Sequence, residues 1–370
     1  MLAIGKAAPA MLAGACDALG SRPRRALCIT REGAARPGEA VPAAGRLLYG
    51  DHPVPGRRSL AAGQALGAFL DALPARSLLL CLISGGSSAL VECLPEGLEL
   101  EDLERANRWL LGSGLAIAAV NQVRGRLSCM KAGRLARRLA GHRVLALAIS
   151  DVPDDDPAVI GSGLLVPSGP SSLPTGLPVW LEAMLGRAPS PPAPGEEGLA
   201  TVDYRIVANG RMAAQAAAAT AIAAQLPARV HQHPLCGSTE DACAVVLESV
   251  WAGTPGLQAW YGETTVLLPA EAGEGGRNSH LALACSVALQ GHDEVVILCA
   301  GTDGSDGTSA AAGGWADGSV VARLAALGFD ARTGLARADS GRLLAASGDA
   351  LTTGPTGTNV MDLVLALRDR

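Results

Sequence analysis

Aromatic residues are scarce in this chain, with two Phe, three Tyr and five Trp among 370 residues. Its cores therefore have to be packed by aliphatic side chains, and the hydrophobic content of 49% supplies enough of them. So few aromatic rings weaken any base-stacking mode of nucleic-acid binding. Because the net charge is −5 and no basic tract occurs, nucleic acid is not expected as a partner.

Long apolar runs are missing as well. No run reaches the ~18 residues that span a bilayer, and residues 1–6 lack the apolar core of a signal peptide. The nine cysteines are scattered, odd in number and without a CxxC pair, so neither a zinc site nor a disulfide framework is indicated. We expect small buried cysteines, a reducing cytoplasm and no membrane partner.

Lysine and asparagine are rare. Two Lys stand against 28 Arg, and there are five Asn. The excess of Ala, Arg, Gly and Pro is typical of a GC-rich coding bias, which removes Lys and Asn where nothing retains them. Lys6 and four of the five Asn nevertheless lie in Gly-rich or turn-like segments, which directs attention to those segments.

Short apolar runs alternate with helical patterns, which predicts an α/β fold with mainly parallel sheets. The predicted strands are 2–4, 26–30, 78–83, 144–149, 204–208, 229–232, 264–268 and 295–299. The predicted helices are 9–19, 59–70, 100–111, 133–139, 179–185, 212–225, 240–251 and 279–290, and the run 361–368 is helix-like too.

A segment rich in Pro, Ser and Gly, residues 166–198, is the expected domain boundary. It divides the chain into a Rossmann-like N-terminal α/β domain, residues 1–197, and a C-terminal α/β domain, residues 198–370. We expect both domains to have three layers.

Ligands bind beyond the carboxyl ends of strands in open α/β sheets, so the loops after each strand are the candidate sites. Residues 84–88, Ser-Gly-Gly-Ser-Ser, follow one such strand. Glycines let backbone N–H groups approach an anion, and the hydroxyls add donors. The segment matches no known nucleotide fingerprint, so a phosphate cradle and a tight strand-to-helix turn are both open.

Acidic side chains follow two other strands. Asp151 is placed to hold Mg²⁺ or to accept a hydroxyl proton, whereas residues 154–156 are typical of a solvated turn. Asp303 and Asp306 lie in the Gly-rich loop 301–307 and could share a divalent ion or bind hydroxyl groups. No EF-hand spacing is present, so Ca²⁺ is not favoured.

Two cationic side chains also lie in loops next to predicted strands or helices. Lys6 comes directly after the first strand and is a natural counter-charge for phosphate. Arg277 precedes a helix, where its guanidinium suits phosphate or carboxylate, although a surface loop is the alternative. The loop 354–359 either closes over a ligand or forms a plain turn. His52 could be a base, but a structural role is more common for a histidine beside prolines.

Taken together, these segments resemble the class II glycerate kinases, whose C-terminal part is known as the MOFRL domain. The resemblance covers nearly the whole chain, and it is specific because the motifs occur jointly and in order. They are IGKAA (4–8), DHPVP (51–55), ISGGSSAL (83–90), NQVR (121–124), LS (127–128), KAGRLA (131–136), ISDVP (149–153), GETTV (262–266), GRN (276–278), GTDG (301–304) and TGPTGTNV (353–360).

The resemblance implies two α/β domains with the active site in the cleft between them, and a MOFRL segment at about 257–370. It implies ATP and Mg²⁺ as cofactors, D-glycerate as the acceptor and 2-phosphoglycerate as the product. A homodimer is a further possibility. Some members of this family carry the older name hydroxypyruvate reductase, so that activity is an alternative. The chain has no dinucleotide-binding fingerprint, which makes it the less favoured one. The other alternative is a non-catalytic paralogue that binds a small acid or a nucleotide.

We assign site residues on these grounds. The catalytic candidates are Lys6, Arg277 and Asp151. The cofactor-binding candidates are Ser84, Gly85, Gly86, Ser87, Ser88, Gly301, Asp303 and Thr356. The substrate-binding candidates are Asn209, Glu263 and Asn278, and the metal candidates are Asp151, Asp303 and Asp306.

The chain departs from the family pattern at several points. Ser87 and Ala132 each stand where a Gly is usual, as does Asp154, and residues 237–240 lack a Gly-Glu-Ala pattern. Relatives carry roughly forty residues ahead of the first strand. Either the start is misassigned or the first domain lacks a helical layer. These changes bear on substrate choice and activity.

Overall fold

The computed structural model describes residues 1–20, 22, 25–34, 45–115, 117–169 and 173–369. They form two compact units, unit 1 (Met1–Val207) and unit 2 (Ala208–Arg370). The division falls later than the predicted 197/198 boundary. The strand that follows the Pro-rich segment joins the first sheet, so this segment does not separate the two units.

Unit 1 is built on a six-stranded sheet. Its strands are β1 (Leu2–Ile4), β2 (Ala26–Thr30), β3 (Gly45–Tyr49), β4 (Leu78–Ile83), β5 (Arg143–Ile149) and β6 (Thr201–Ala208). Its helices are α1 (Ala8–Leu19), α2 (Arg57–Asp71), α3 (Ser87–Leu90), α4 (Leu100–Gly112), α5 (Ile117–Leu127), α6 (Arg134–Arg138) and α7 (Val179–Leu185), with a 3₁₀ turn at Ile160–Ser162.

The order of this sheet is β3-β2-β1-β4-β5-β6, and β1 to β5 pair in parallel. This is the doubly wound Rossmann order, in which ligands bind where the strand order reverses, between β1 and β4. Successive side chains of β1 enter different cores. Leu2 packs in the core that contains Leu66 of α2, and Ala3 packs with Leu12 of α1. Helices therefore cover both faces, which confirms the predicted three layers.

Unit 2 also has a six-stranded sheet. Its strands are β7 (Ala228–Val230), β8 (Gly256–Gly262), β9 (Val295–Gly301), β10 (Gly313–Ala316), β11 (Ala350–Leu351) and β12 (Asp362–Arg368). Its helices are α8 (Gly210–Ala223), α9 (Thr239–Ala252), α10 (Arg277–Ala288), α11 (Val320–Ala326), α12 (Ala331–Ala336) and α13 (Ser340–Ser347). Tyr261 packs with Ala214 of α8, while Trp260 packs with Val246 of α9, so this sheet is covered on both faces too.

The prediction of mainly parallel strands is wrong for unit 2. The order is β11-β10-β9-β12-β8-β7, and β12 pairs antiparallel with both β8 and β9. The run 361–368, predicted to be helix-like, is this central strand β12. Because both faces of β12 are covered, its sequence is continuously apolar from Leu363 to Leu367 and lacks the alternation that signals a strand.

The predicted strand 264–268 is also wrong. The strand ends at Gly262, and Leu267 is 95% exposed. A run of Thr, Val and Leu suggested a strand by propensity alone, but such propensity depends on what the side chains pack against. Among the described residues, no helix combines the length and the apolar character needed to cross a membrane.

Candidate active site

The turn that carries Lys6 is fixed against the loop that follows β4. The backbone N–H of Lys6 donates to the carbonyl of Gly85 at 2.9 Å, and the N–H of Ala7 donates to Oγ of Ser84 at 3.0 Å. Gly5 has a φ of +133°, and a Cβ atom there would lie 2.2 Å from Oγ of Ser84. A glycine is therefore required at position 5, and the two predicted loops form one unit of structure.

Three predicted side chains surround the glycines of this loop. A Cβ atom at Gly85 would lie 2.2 Å from Oδ2 of Asp151. A Cβ atom at Gly86, whose φ is +82°, would lie 3.0 Å from Cδ2 of His52 and 3.3 Å from Cγ of Lys6. Residues from four distant motifs, which follow β1, β3, β4 and β5, thus meet beside the point where the strand order of the sheet reverses.

The serines of the loop make contacts within the protein. Ser84 is buried and accepts from Ala7, and Oγ of Ser88 lies 2.6 Å from Oγ of Ser162. Ser87 is fully buried, and a Cβ atom at Gly161 would lie 2.5 Å from its Oγ. The hydroxyls of Ser84 and Ser88 are therefore bonded within the fold, whereas Oγ of Ser87 is buried without a hydrogen-bond partner among the described residues. The predicted role of these hydroxyls as phosphate donors stays a prediction.

The backbone of the same loop is better placed for an anion. No backbone carbonyl of a described residue accepts a hydrogen bond from the N–H of Gly85 or of Gly86. Successive glycine N–H groups next to a lysine are a common means of binding phosphate oxygens. The loop can thus bind an anion through its N–H groups, with Lys6 as the neighbouring cation.

In unit 2, Arg277 begins α10 and is held by two carboxylates. Its Nε and Nη2 donate to Oδ2 and Oδ1 of Asp362 at 2.5 and 3.0 Å, and its Nη1 lies 2.6 Å from Oε1 of Glu263. Burial would lower the pKa of Arg277, but the bond and charge of Asp362 and the charge of Glu263 outweigh it and raise the pKa. Arg277 is a fixed, permanently charged group.

Sequence reasoning missed Asp362, the partner that orients Arg277. It is 6% exposed and is the first residue of β12. The signal was present, since an acidic residue opens an apolar run directly after the motif at 353–360. Predicting that run as a helix concealed its position beside Arg277.

Asp306 has a structural role that the sequence did not predict. Its Oδ1 accepts from the N–H of Asn278 at 2.8 Å, and its Oδ2 accepts from the N–H and the hydroxyl of Ser279 at 2.8 and 2.6 Å. Asp306 is 2% exposed. These contacts satisfy the first N–H groups of α10, so Asp306 caps this helix. Its predicted role as a metal ligand stays a prediction.

The two Gly-rich loops of unit 2 pack against each other. The hydroxyl of Thr356 donates to the carbonyl of Thr302 at 2.6 Å, and its N–H donates to the carbonyl of Asp303 at 3.2 Å. Oδ1 of Asp303 accepts from the N–H and the hydroxyl of Ser305 at 3.0 and 2.7 Å. The structure thus brings the predicted residues Asp303 and Thr356 together.

The remaining candidates also have contacts within unit 2. Asn209 caps α8, its Oδ1 accepting from the N–H of Met212 at 2.8 Å. Gly301 ends β9 and is buried, Asn278 is 2% exposed in the first turn of α10, and Glu263 contacts Arg277. Their roles toward ligands stay predictions.

Two family models match the chain. The MOFRL family matches residues 257–362, and a domain of unknown function (DUF4147) matches residues 1–175. A D-glycerate 2-kinase of Thermotoga maritima is 33% identical over 99% of this chain and 90% of that protein. A protein of Agrobacterium vitis, provisionally named a hydroxypyruvate reductase, is 35% identical over 98% of this chain and 97% of its own length.

A solved structure has the same fold. The crystal structure of glycerate kinase from Thermotoga maritima superposes with a TM-score of 0.87 at 31% identity, covering 100% of this chain and 91% of that one. Similarity in sequence and in fold therefore extends over both units.

Proposed function

Because this chain belongs to the class II glycerate kinase family, as its ordered motifs predicted, we propose that it transfers the γ-phosphoryl group of ATP to the 2-hydroxyl group of D-glycerate. The product is 2-phosphoglycerate. The observation that carries the proposal is the convergence of Lys6, Asp151 and the 84–88 loop at the switch point of the first sheet. This is where a doubly wound fold binds phosphorylated ligands.

Phosphoryl transfer depends on positioning and charge neutralisation more than on covalent chemistry. We assign the positive charge to Lys6 and Arg277. The N–H groups of Gly85 and Gly86 bind phosphate oxygens, while the hydroxyls of Ser84 and Ser88 hold the shape of the loop. Asp151 is the first candidate for the base that accepts the proton of the attacking hydroxyl.

Mg²⁺ fits the carboxylates at these strand ends. It is usually held by one or two carboxylates together with substrate phosphates. In unit 1, Asp151 places a carboxylate in the loop after β5 and would hold the ion there; in unit 2, Asp303 is the corresponding candidate in the loop after β9. When bound, Mg²⁺ supplies neutralisation of the phosphate charge.

The purified full-length protein is expected to consume ATP in the presence of D-glycerate and Mg²⁺. ³¹P NMR of the product distinguishes 2-phosphoglycerate from 3-phosphoglycerate. Oxidation of NADH with hydroxypyruvate, without ATP turnover, would establish the reductase instead. Saturable binding of ATP or glycerate with neither reaction would indicate a non-catalytic paralogue.

Gly85→Ala is expected to lower kcat strongly while leaving the protein folded. Gly85 does not have a positive φ, so the backbone accepts alanine, but the new methyl group would displace the Asp151 carboxylate. Gly14→Ala is the matched control. It lies inside α1 with no atom near its Cβ position, so it should keep full activity and gain about 0.5–1 kcal/mol of stability. An unchanged kcat in Gly85→Ala would contradict the proposed role of Asp151 in the reaction.

A further inference from the structure

Unit 1 contains a cavity of about 200 Å³ beside the 84–88 loop. Its walls include His52, Gly86, Arg124 and Lys131, which come from four of the ordered sequence motifs, together with Asn107 of α4. The function proposed above gives Arg124, Lys131 and Asn107 no role. Pockets for drug-sized ligands measure roughly 300–1,000 Å³, so this cavity suits a molecule of a few carbon atoms better than a nucleotide.

The charges that line the cavity sum to about one positive charge. Nζ of Lys131 lies 2.6 Å from Oε2 of Glu92, and both side chains are nearly fully buried. Oε1 of Glu92 also accepts from the N–H of Cys93 at 2.9 Å. This pair is neutral as a whole. Arg124 forms no ion pair among the described residues, and burial lowers its pKa, so its charge favours an anion in the cavity.

An unused hydrogen-bond donor lies in the same wall. Nε of Arg124 donates to Oδ1 of Asn107 at 2.9 Å, and because Nε is a donor only, the oxygen of the amide must face it. The Nδ2 group of Asn107 therefore faces away from Arg124. Asn107 is 3% exposed, and its Nδ2 has no acceptor in the described part of the chain. Leaving such a donor unpaired costs about 1–3 kcal/mol, which a bound acceptor would recover.

We propose that this cavity binds the carboxylate of the hydroxy-acid substrate, with Arg124 pairing with the carboxylate and Asn107 donating from Nδ2. The inference rests on the proposed function and adds the group that selects an acid over a neutral alcohol. A guanidinium and an amide match the planar carboxylate. One positive charge balances one carboxylate, whereas the triphosphate of ATP carries several negative charges.

The lysine–glutamate pair has a positioning role in this arrangement. Lys131 neutralises Glu92, and the contact between them holds both side chains in one arrangement in the wall of the cavity. Buried ion pairs are often no better for stability than apolar residues of the same size. A function in the cavity accounts for why both charges are present.

The test uses two variants of the full-length enzyme and one control. Arg124→Met removes the cation. Asn107→Asp keeps an oxygen for Arg124 and replaces the Nδ2 donor with a negative charge at almost unchanged size. Both are expected to raise KM for D-glycerate by roughly 10- to 100-fold, the effect of losing a charged hydrogen bond, with KM for ATP unchanged. Arg108→Met removes an exposed positive charge next to Asn107 on α4, and should leave both constants unchanged.

Calorimetric binding separates this inference from the proposed reaction. D-glycerate and D-lactate are expected to bind the wild-type protein, glycerol is not, and both variants should lose binding of the acids while their circular dichroism stays normal. If the acids bind through Arg124 but no phosphoryl transfer occurs, the proposed function fails and the inference stands. An increase in KM for ATP alone would assign the cavity to the nucleotide and overturn the inference. Asn107→Asp with an unchanged KM for D-glycerate would overturn it as well.

Discussion

Lys6→Ala and Arg277→Ala are each expected to lower kcat by roughly 10³-fold or more. Each removes a positive charge that we propose neutralises phosphate charge during the reaction, and cationic contacts of this kind have effects of that size in phosphoryl transfer. The measurement is kcat at saturating ATP and D-glycerate. Near-normal turnover in both variants would contradict the assignment of the active site.

Arg277 needs a further control because its ion pair with Asp362 also stabilises the fold. Its removal leaves Asp362 as a buried carboxylate without its cation, which costs about 3–5 kcal/mol of stability. The double variant Arg277→Met/Asp362→Asn has no unpaired buried charge, since Glu263 is exposed, and should recover most of that stability. It should not recover activity. If it does, the role of Arg277 is to stabilise α10 and β12, and its charge is not used in the reaction.

The fold of unit 1 was largely predictable because its signals are local. The strands β1, β2, β4 and β5 are short apolar runs that end at a turn, and the functional loops follow β1, β4 and β5. The strand β3, which starts with Gly and Arg and is half exposed, was not predicted. The predicted strand 78–83 has the observed bounds, so the position of Ser84 at its end was correct. The parallel order then places Lys6 beside Gly86.

The roles of several carboxylates were not predictable from the chain. Asp306 and Asp303 lie three residues apart in one Gly-rich loop, and nothing local distinguishes them. Asp306 caps a helix that begins 29 residues earlier, at Arg277, and only the tertiary structure shows it. Asp362 was concealed for a related reason, since a strand with both faces covered has no alternation in its sequence.

The cavity in unit 1 combines residues that the sequence presents as unrelated. Asn107 lies in α4, which was predicted, whereas Arg124 lies in α5, which was not. The helix α5 contains Gly125 and β-branched residues, which have weak helical propensity, so its pattern was inconclusive. Without α5, nothing in the sequence indicated that Asn107 and Arg124 would be in contact.

Lys131→Met is expected to lower the free energy of unfolding by about 3–5 kcal/mol, because it leaves Glu92 as an unpaired buried charge. Urea unfolding followed by circular dichroism measures the loss. The matched control is Arg205→Met. It breaks an exposed pair with Asp203, whose side chains are 65% and 54% exposed, and should change stability by less than about 1 kcal/mol.

The double variant Lys131→Met/Glu92→Gln decides what the pair is for. It has no buried charge, and the amide keeps an oxygen for the N–H of Cys93, so most of the lost stability should return. If the pair serves only the fold, activity returns with stability. If it positions the cavity for a carboxylate, as we infer, KM for D-glycerate stays raised in a protein that unfolds like the wild type, because Arg124 and Asn107 lose the ordered wall beside them.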